Sequence, residues 1–235
     1  MNEATIRTRM LLGEQAMEQL KSAHVAVFGL GGVGSYVAEC LARSGVGELT
    51  LIDSDSVSES NINRQSIALH STVGREKALV MAERIRDINP DCILHPIVGS
   101  YTAAERERFW GNYDYVADCI DLVSCKLDLI LSARERKIPI LSALGTGNKL
   151  DASLLRITDI SKTVGCPLAR VMRKELRARG IQHLKVVYSP EEAAETEQCE
   201  APPPGRRSVP ASAPWVPPVA GFLMAGEIVR ELIKE

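Results

Sequence analysis

Positions 24–53 of the chain read HVAVFGLGGVGSYVAECLARSGVGELTLID. Residues 24–29 are a short apolar run that ends in glycine, which is typical of a buried parallel strand. Apolar residues then recur with helical spacing over residues 33–44, and residues 48–53 form a second apolar run. Strand, helix and strand in this order predict a right-handed βαβ unit of a parallel sheet.

The same alternation continues to about residue 145. Amphipathic spacing, apolar runs and turn residues predict helices over 76–88, 103–110 and 124–136 and strands over 92–97, 113–120 and 139–143. Repeated strand–helix units predict an α/β fold of the Rossmann-like type, with a mostly parallel sheet flanked by helices.

The remainder of the chain is less regular. It contains two predicted strands, 154–158 and 185–188, which we interpret as antiparallel additions to the sheet in the C-terminal half. Two helices are predicted over 167–179 and 219–234. Eight prolines and a cluster of glutamates lie between residues 189 and 218 and predict a mobile loop at about 190–218.

The composition is that of a globular protein, because 45% of the 235 residues are hydrophobic and 25% are charged. The net charge of −2 excludes a globally basic surface for nucleic acid. No apolar run approaches the roughly 18 residues of a membrane span, and the first residues lack a signal pattern. We therefore expect a cytoplasmic protein without a membrane segment. The six cysteines form no Cys-x-x-Cys pair and only four histidines occur, so no structural zinc site is predicted.

A glycine-rich loop follows the first predicted strand and contains Gly29, Gly31, Gly32 and Gly34. Its Gly-x-Gly-x-x-Gly spacing lets the backbone turn tightly and approach a phosphate, and the following helix N-terminus favours the anion. Asp53 ends the second strand, where a carboxylate can hold ribose hydroxyls. These residues alone predict an adenine nucleotide, with NAD as the default.

The segment after Asp53 decides between nucleotides. It supplies a set of polar side chains: Asp55, Asn61, Arg64, Gln65 and, on the next predicted helix, Lys77. A site that cleaves ATP between its α and β phosphates needs such cations to stabilise the departing pyrophosphate. Mg²⁺ prefers oxygen ligands, and Asp121 follows the strand predicted over 113–120, at the carboxyl edge where ligands of open α/β folds bind. The expected cofactors are therefore ATP and Mg²⁺.

These motifs give the chain a simple organisation. We expect residues 1–22 to form an N-terminal helical segment and residues 23–145 to form a nucleotide-binding α/β half. Residues 146–235 form a C-terminal half that completes the same domain.

The motif residues resemble the adenylating domain of the ubiquitin-activating superfamily, whose bacterial members include the activators of the thiamine and molybdopterin sulfur carriers. The resemblance implies that Asp53 binds ribose, that Asp121 binds magnesium, and that the triphosphate is bound by Asn61, Arg64 and Lys77. It also implies that Arg9 reaches into the site of a neighbouring subunit, which predicts a homodimer with shared sites. The implied catalytic set is Arg9, Arg64, Lys77 and Asp121.

The second half is similar to a narrower family. The motifs SALGTGNKLD (142–151), CPLA (166–169), RKELRARGI (173–181) and VPPVAGF (216–222) occur in an order similar to that of the tRNA threonylcarbamoyladenosine dehydratases. The resemblance implies that ATP activates the threonyl carboxylate of a modified adenosine beside the tRNA anticodon. This carboxyl group then closes on the neighbouring carbamoyl group, and AMP and pyrophosphate are released. A nucleophile tethered in the substrate also explains why no catalytic cysteine is evident.

A basic segment supports tRNA as the partner. Seven Lys or Arg residues and one acidic residue lie between Lys162 and Lys185. Four of them share helical spacing and are candidate phosphate contacts: Arg170, Arg173, Lys174 and Arg177. Charge alone fits a solvated helix face equally well, and the family resemblance favours RNA. A sulfur-relay protein is left open as a further partner.

Three alternatives stay open from the residues. An activator of a small sulfur-carrier protein is disfavoured because the Cys-x-x-Cys pairs that usually hold zinc are absent. An NAD oxidoreductase is disfavoured because it has no use for Asn61, Arg64 and Lys77. A non-catalytic nucleotide-binding scaffold is disfavoured because every expected charged group is present.

Overall fold

The computed structural model describes residues 3–197, 199 and 209–234 of the chain. Within these residues, the sheet has seven strands: β1 (His24–Phe28), β2 (Glu48–Asp53), β3 (Ile93–Val98), β4 (Tyr115–Asp118), β5 (Ile140–Ala143), β6 (Arg156–Asp159) and β7 (Lys185–Tyr188). Their order across the sheet is β3-β2-β1-β4-β5-β7-β6. Neighbouring strands pair in parallel, except that β6 is antiparallel to β7. The predicted Rossmann-like α/β fold is therefore confirmed.

The described part of the chain also contains seven α-helices: α1 (Ile6–Leu12), α2 (Glu14–Ser22), α3 (Gly34–Ser44), α4 (Lys77–Ile88), α5 (Val123–Glu135), α6 (Pro167–Ala178) and α7 (Val216–Leu232). Gly13, with φ of +86°, separates α1 from α2. No helix among the described residues is both long and apolar enough to cross a membrane.

The sheet lies between two apolar layers because successive side chains of each strand point to opposite faces. In β1, Val25 and Val27 join the core formed with α3, α4 and α7. Ala26 and Phe28 join a second core on the other face, with α5 and a group of aromatic side chains. A third cluster lies between α5, β7 and α6. Burial on both faces explains why β1 is apolar throughout its interior.

Two sequence predictions about elements are wrong. The helix predicted over 103–110 is only a short 3₁₀ turn, Arg106–Phe109. The aromatic ring of Phe109 contacts Tyr101, and that of Trp110 contacts Phe28. Adjacent side chains of an α-helix diverge by about 100°, so a helix would carry one of these two rings away from the sheet. The strand 185–188, predicted as an antiparallel addition, is parallel to its neighbour β5, and only β6 is antiparallel.

The predicted mobile loop at 190–218 ends earlier than expected. Residues 216–218 belong to the first turn of α7, where prolines are tolerated. These three residues are also buried. Residues 198 and 200–208 lie outside the described residues. Residues 190–197 and 209–215 form no helix or strand, and the mobility of the loop stays a prediction.

Candidate nucleotide site

The glycine loop lies where the strand order reverses, between the carboxyl ends of β1 and β4. Gly29 has φ of +87°, and a Cβ there would lie 2.7 Å from the carbonyl oxygen of Cys119. A Cβ on Gly34 would lie 1.8 Å from the carbonyl oxygen of Gly29. Only glycine fits these two positions, whereas a Cβ on Gly31 would make an ordinary contact, 3.8 Å from Gln65 Nε2. The loop is therefore tight at its ends and accessible in its middle, as a phosphate cradle requires.

Asp53 holds this loop in place. Its Oδ2 accepts a hydrogen bond from the backbone N–H of Leu30 at 2.6 Å, and its Oδ1 accepts one from Asp55 at 2.8 Å. Burial raises the pKa of the Asp53 carboxyl, although Lys77 and the two N–H donors act in the opposite direction. Each carboxylate oxygen can accept a further hydrogen bond, so the predicted ribose contact is compatible with this role.

Lys77 is a buried cation at the start of α4. Its side chain is 7% exposed, and its Nζ lies 2.9 Å from Asp55 Oδ2. Asp55 is 67% exposed, and its backbone carbonyl accepts a hydrogen bond from the Lys77 N–H. The ammonium group thus has an exposed carboxylate as its ion-pair partner. A phosphate can approach this ammonium group from the solvent side of the pair.

The segment that contains Asn61, Arg64 and Gln65 covers the glycine loop. Asn61 shapes the turn, because its carbonyl accepts the N–H groups of Arg64 and Gln65 and its Oδ1 accepts that of Ser58. Arg64 crosses Gly32, where a Cβ would lie 3.4 Å from Arg64 Cγ. In the described residues, Gln65 Oε1 is buried without a hydrogen-bond partner, so it offers an acceptor to a bound ligand.

A buried charged group beneath the site was missed by sequence reasoning. Lys126 of α5 and Asp118 of β4 are both fully buried, with Lys126 Nζ 2.8 Å from Asp118 Oδ2. Ser142 of β5 donates to the same carboxylate at 2.5 Å, and Lys126 also donates to the Ile120 carbonyl at 3.0 Å. The pair therefore fixes the loop that presents Asp121, which is exposed after β4. The sequence could not reveal this group because the strand register was not known from it. In the structure, the register makes Asp118 and Ser142 direct neighbours across β4 and β5.

The C-terminal half completes the site. A Cβ on Gly32 would lie 3.0 Å from Pro217 Cβ of α7. Upstream of α7, the carbonyl of Ser212 accepts a hydrogen bond from Asn63 Nδ2 at 2.9 Å. Ala211 is held by Asn148, whose Oδ1 accepts the Ala211 N–H at 2.7 Å. The segment 209–215 therefore connects the loop after β5 with the segment that covers the glycine loop.

Arg9 stands apart from the other predicted site residues. Its Nε lies 3.4 Å from Glu14 Oε2, at the junction of α1 and α2. Among the described residues, no hydrogen bond or ion pair connects Arg9 to the glycine loop, Asp53 or Lys77. A role of Arg9 in the nucleotide site of its own chain has no support from these contacts.

The four predicted RNA contacts divide into two groups. Arg170, Lys174 and Arg177 are exposed and share one face of α6. Arg173 is half-buried, and its Nη1 donates to the carbonyl of Thr163 at 2.7 Å. The structure thus leaves three of the four cations on a solvent face and gives Arg173 a contact within the chain.

The cysteines offer no activated thiol in the loop beside the site. Burial and the nearby Asp118 raise the pKa of Cys119, which follows β4, so its thiol is a poor nucleophile. Cys166 is buried and its Sγ accepts the N–H of Ala169 at 3.4 Å, as a cap of α6. All six cysteines are free thiols.

Comparison with known proteins assigns the chain to a protein family. The ThiF family model matches residues 5–235, and the chain belongs to this family. Within it, the chain is similar to the tRNA threonylcarbamoyladenosine dehydratase of Bacillus subtilis, with 41% identity over 97% of this chain and 94% of that protein. It is also similar to the crystal structure of the Escherichia coli tRNA N6-threonylcarbamoyladenosine dehydratase, TcdA, in complex with AMP, with a TM-score of 0.89 and 35% identity over 98% of this chain and 94% of that chain. The ATP complex of the same E. coli protein gives a TM-score of 0.88 at the same identity and coverage.

Proposed function

We propose that the protein uses ATP to convert N6-threonylcarbamoyladenosine in tRNA to its cyclic form. One observation carries this proposal: the glycine loop, Arg64 and Lys77 lie together at the carboxyl edge of the sheet, in a chain whose relatives over nearly full length are tRNA threonylcarbamoyladenosine dehydratases. The ATP and AMP complexes of the similar E. coli structure support ATP as the nucleotide. They disfavour the NAD oxidoreductase, and the named relatives disfavour a sulfur-carrier activator.

The residues fit a nucleotide. The loop packs closely against backbone atoms at Gly29 and Gly34, and Gly31 between them carries no side chain. The loop leads into the N-terminus of α3, where backbone N–H groups favour a phosphate. Gln65 Oε1 provides an unpartnered buried acceptor beside this loop. Asp121 would hold Mg²⁺, because its exposed carboxylate is a hard oxygen ligand, and Mg²⁺ supplies charge neutralisation for the phosphates when it is bound.

The reaction then proceeds in two displacements. An oxygen of the threonyl carboxylate attacks the α-phosphorus of ATP, the bond to the bridging oxygen breaks, and pyrophosphate leaves. Lys77 and Arg64 stabilise the negative charge that develops on this leaving group. The carbamoyl group of the same side chain next attacks the acyl carbon, loses a proton and expels AMP. Both reactants of this second step are held in one molecule, so proximity replaces a covalent enzyme intermediate.

The tRNA is proposed to contact α6. Its exposed face presents Arg170, Lys174 and Arg177, and phosphate contacts of this kind position a nucleic acid. The helix begins beside the nucleotide edge, since a Cβ on Gly145 after β5 would lie 3.7 Å from Cys166 Sγ. A tRNA bound to this face would therefore extend from the carboxyl edge of the sheet, the edge at which the glycine loop lies. A tRNA substrate also implies the cytoplasm as the location.

The protein is further proposed to act as a homodimer in which Arg9 serves the partner's site. Three apolar side chains of α1 are exposed: Ile6 by 42%, Met10 by 76% and Leu11 by 83%. An apolar helix face of this kind fits a subunit contact. Arg9 lies on the same helix, so α1 packed on a partner brings Arg9 with it.

Mass spectrometry of nucleosides tests the activity. Substrate tRNA containing threonylcarbamoyladenosine is incubated with the protein and ATP, and we expect a nucleoside lighter by one water, with equimolar AMP and pyrophosphate. Asp121→Asn and Lys77→Ala should lower the rate of product formation by about 100-fold or more. Arg86→Ala, at an exposed position of α4, should leave this rate unchanged. AMP formation without the lighter nucleoside would contradict the tRNA assignment, and displacement of bound nucleotide by NAD but not ATP would contradict the nucleotide assignment.

A further inference from the structure

A group of metal-ligating side chains lies at the amino edge of the sheet, at the opposite end of the strands from the nucleotide loop. His24 begins β1, Glu48 begins β2, and His95 is the third residue of β3. Each offers one ligand atom, and these atoms all lie within 4.8 Å of one another. The proposed activity uses none of them.

The register of the sheet creates this group. His24 is the direct neighbour of Glu48 across β1 and β2, and His95 is the neighbour of Thr50 across β2 and β3. Residues 48 and 50 of one strand share a face, so the two imidazoles and the carboxylate project from the same side of three adjacent strands. The strands supply a rigid frame for the group.

The distances suit a small ion. His24 Nδ1 lies 3.4 Å from Glu48 Oε1, and His95 Nε2 lies 2.7 Å from the same oxygen. Ligands about 2.0–2.2 Å from Zn²⁺ in a tetrahedral site are separated from one another by about 3.3–3.6 Å. The His95 side chain is 47% exposed, so its ring can adjust. The ligand atoms would therefore need to move by only about a bond length to surround a Zn²⁺ ion.

Contacts around His24 hold its ring for ligation. Its Nε2 lies 2.8 Å from Oγ1 of the buried Thr50, and the ring of Tyr113 packs edge-on at 4.9 Å. In the metal-bound form the Nε2 proton is donated to Thr50, which leaves the Nδ1 lone pair on the side of Glu48. Metal-ligating histidines commonly donate their second N–H in this way.

We propose that His24, Glu48 and His95 form a Zn²⁺-binding site at the amino edge of the sheet, with water as the remaining ligand. Two imidazole nitrogens and one carboxylate oxygen favour Zn²⁺ over Mg²⁺ or Ca²⁺, which prefer oxygen ligands alone. The bound ion joins β1, β2 and β3 near their amino ends.

Calorimetric titration of the metal-stripped full-length protein with Zn²⁺ tests the site. The variants are His95→Ala and Glu48→Gln, and the matched control is His183→Ala. His183 is also an exposed histidine beside a carboxylate, Asp159 at 3.3 Å, but it belongs to no three-ligand group among the described residues. We expect one equivalent bound by the wild type and by His183→Ala with equal affinity. We expect a loss of at least about 100-fold in the two site variants, since a direct ligand outweighs the 10–100-fold of an outer contact.

Two further measurements separate ligation from folding. Zn²⁺ should raise the thermal midpoint of the wild type and His183→Ala but not of His95→Ala, and circular dichroism of the metal-free proteins should be the same. Thr50→Val, which removes the acceptor for His24, should weaken Zn²⁺ by about 10–100-fold while one equivalent still binds. If His95→Ala does not fold, His95→Gln replaces it. Equal Zn²⁺ binding by the wild type and the folded His95 variant would overturn the proposal, and this result is independent of the ATP-dependent activity.

Discussion

The two edges of the same parallel sheet assemble their polar groups in different ways. At the carboxyl edge, loops after the strands carry the candidate nucleotide-binding residues. Asp53 fixes the glycine loop through a backbone N–H group, and the buried Lys126 fixes the loop after β4. At the amino edge, His24, Glu48 and His95 belong to the strands themselves, and the register alone brings them together. The carboxyl edge can therefore change its chemistry by changing loops, whereas the amino edge depends on strand pairing.

Replacement of Lys126 by methionine should produce the largest loss of stability. It leaves Asp118 buried without its cation, and breaking a buried pair in this way costs about 3–5 kcal/mol. Urea unfolding of Lys126→Met measures the change, with Lys174→Met as the control because Lys174 is exposed on a helix. Equal unfolding free energies for the two variants would show that buried charge does not stabilise the carboxyl edge.

Replacement of Lys77 by alanine should lower turnover by about 100-fold or more, the scale of a lost charge-stabilising donor. The fold should persist, because Lys77 lies at the first turn of α4 and the apolar residues of that helix are unchanged. Release of AMP and pyrophosphate measures the effect, and Arg86→Ala on the same helix is the control. Near-normal turnover would place the triphosphate away from the first turn of α4.

Mixing of two inactive variants tests whether the carboxyl-edge site is complete within one chain. Arg9→Ala and Asp121→Ala chains, mixed equally, should form heterodimers in which one of the two shared sites is intact. Random pairing in a two-fold symmetric dimer should restore about a quarter of wild-type activity. No recovery, despite subunit exchange proven by mass spectrometry, would contradict a role of Arg9 in the partner's site.

Charge reversal on α6 tests how far tRNA recognition extends from the carboxyl edge. Arg170→Glu combined with Arg177→Glu should flatten the slope of log affinity against log salt by roughly 0.7–0.9 for each lost phosphate contact. ATP binding should not change. The control, Lys21→Glu with Arg86→Glu, makes the same change in net charge at exposed positions of α2 and α4. Equal slopes for the two double variants would contradict the α6 contact.

Contiguous motifs explain what the sequence could predict. The glycine loop and the segment from Asp53 to Gln65 are continuous in the chain, and the alternation of apolar runs gave β1, β2 and most of the helices. Such features can be predicted from local sequence, because residues that are close in the chain are also close in the structure. The roles of the individual site residues stay predictions, to be decided by the variants above.

Register and packing explain what was missed. Lys126 and Asp118 meet because α5 folds back on β4, and His24 and His95 meet because β2 lies between their strands. Four scattered histidines give no spacing pattern from which such a group can be recognised. Arg173 has the same helical spacing as the exposed cations, and only the position of Thr163 separates it from them.

The position of the two tryptophans gives the protein an optical reporter. Trp215 is 52% exposed, donates from Nε1 to the carbonyl of Leu150, and directly precedes the helix whose Pro217 touches the glycine loop. Trp110 lies among aromatic rings on the other face of the sheet, beneath the guanidinium of Arg136 at 4.7 Å. Occupation of the loop by a nucleotide should therefore change the fluorescence of Trp215, while Trp110 should supply a constant background. A Trp110→Phe variant isolates the responsive emission, so nucleotide affinity can be followed without a label.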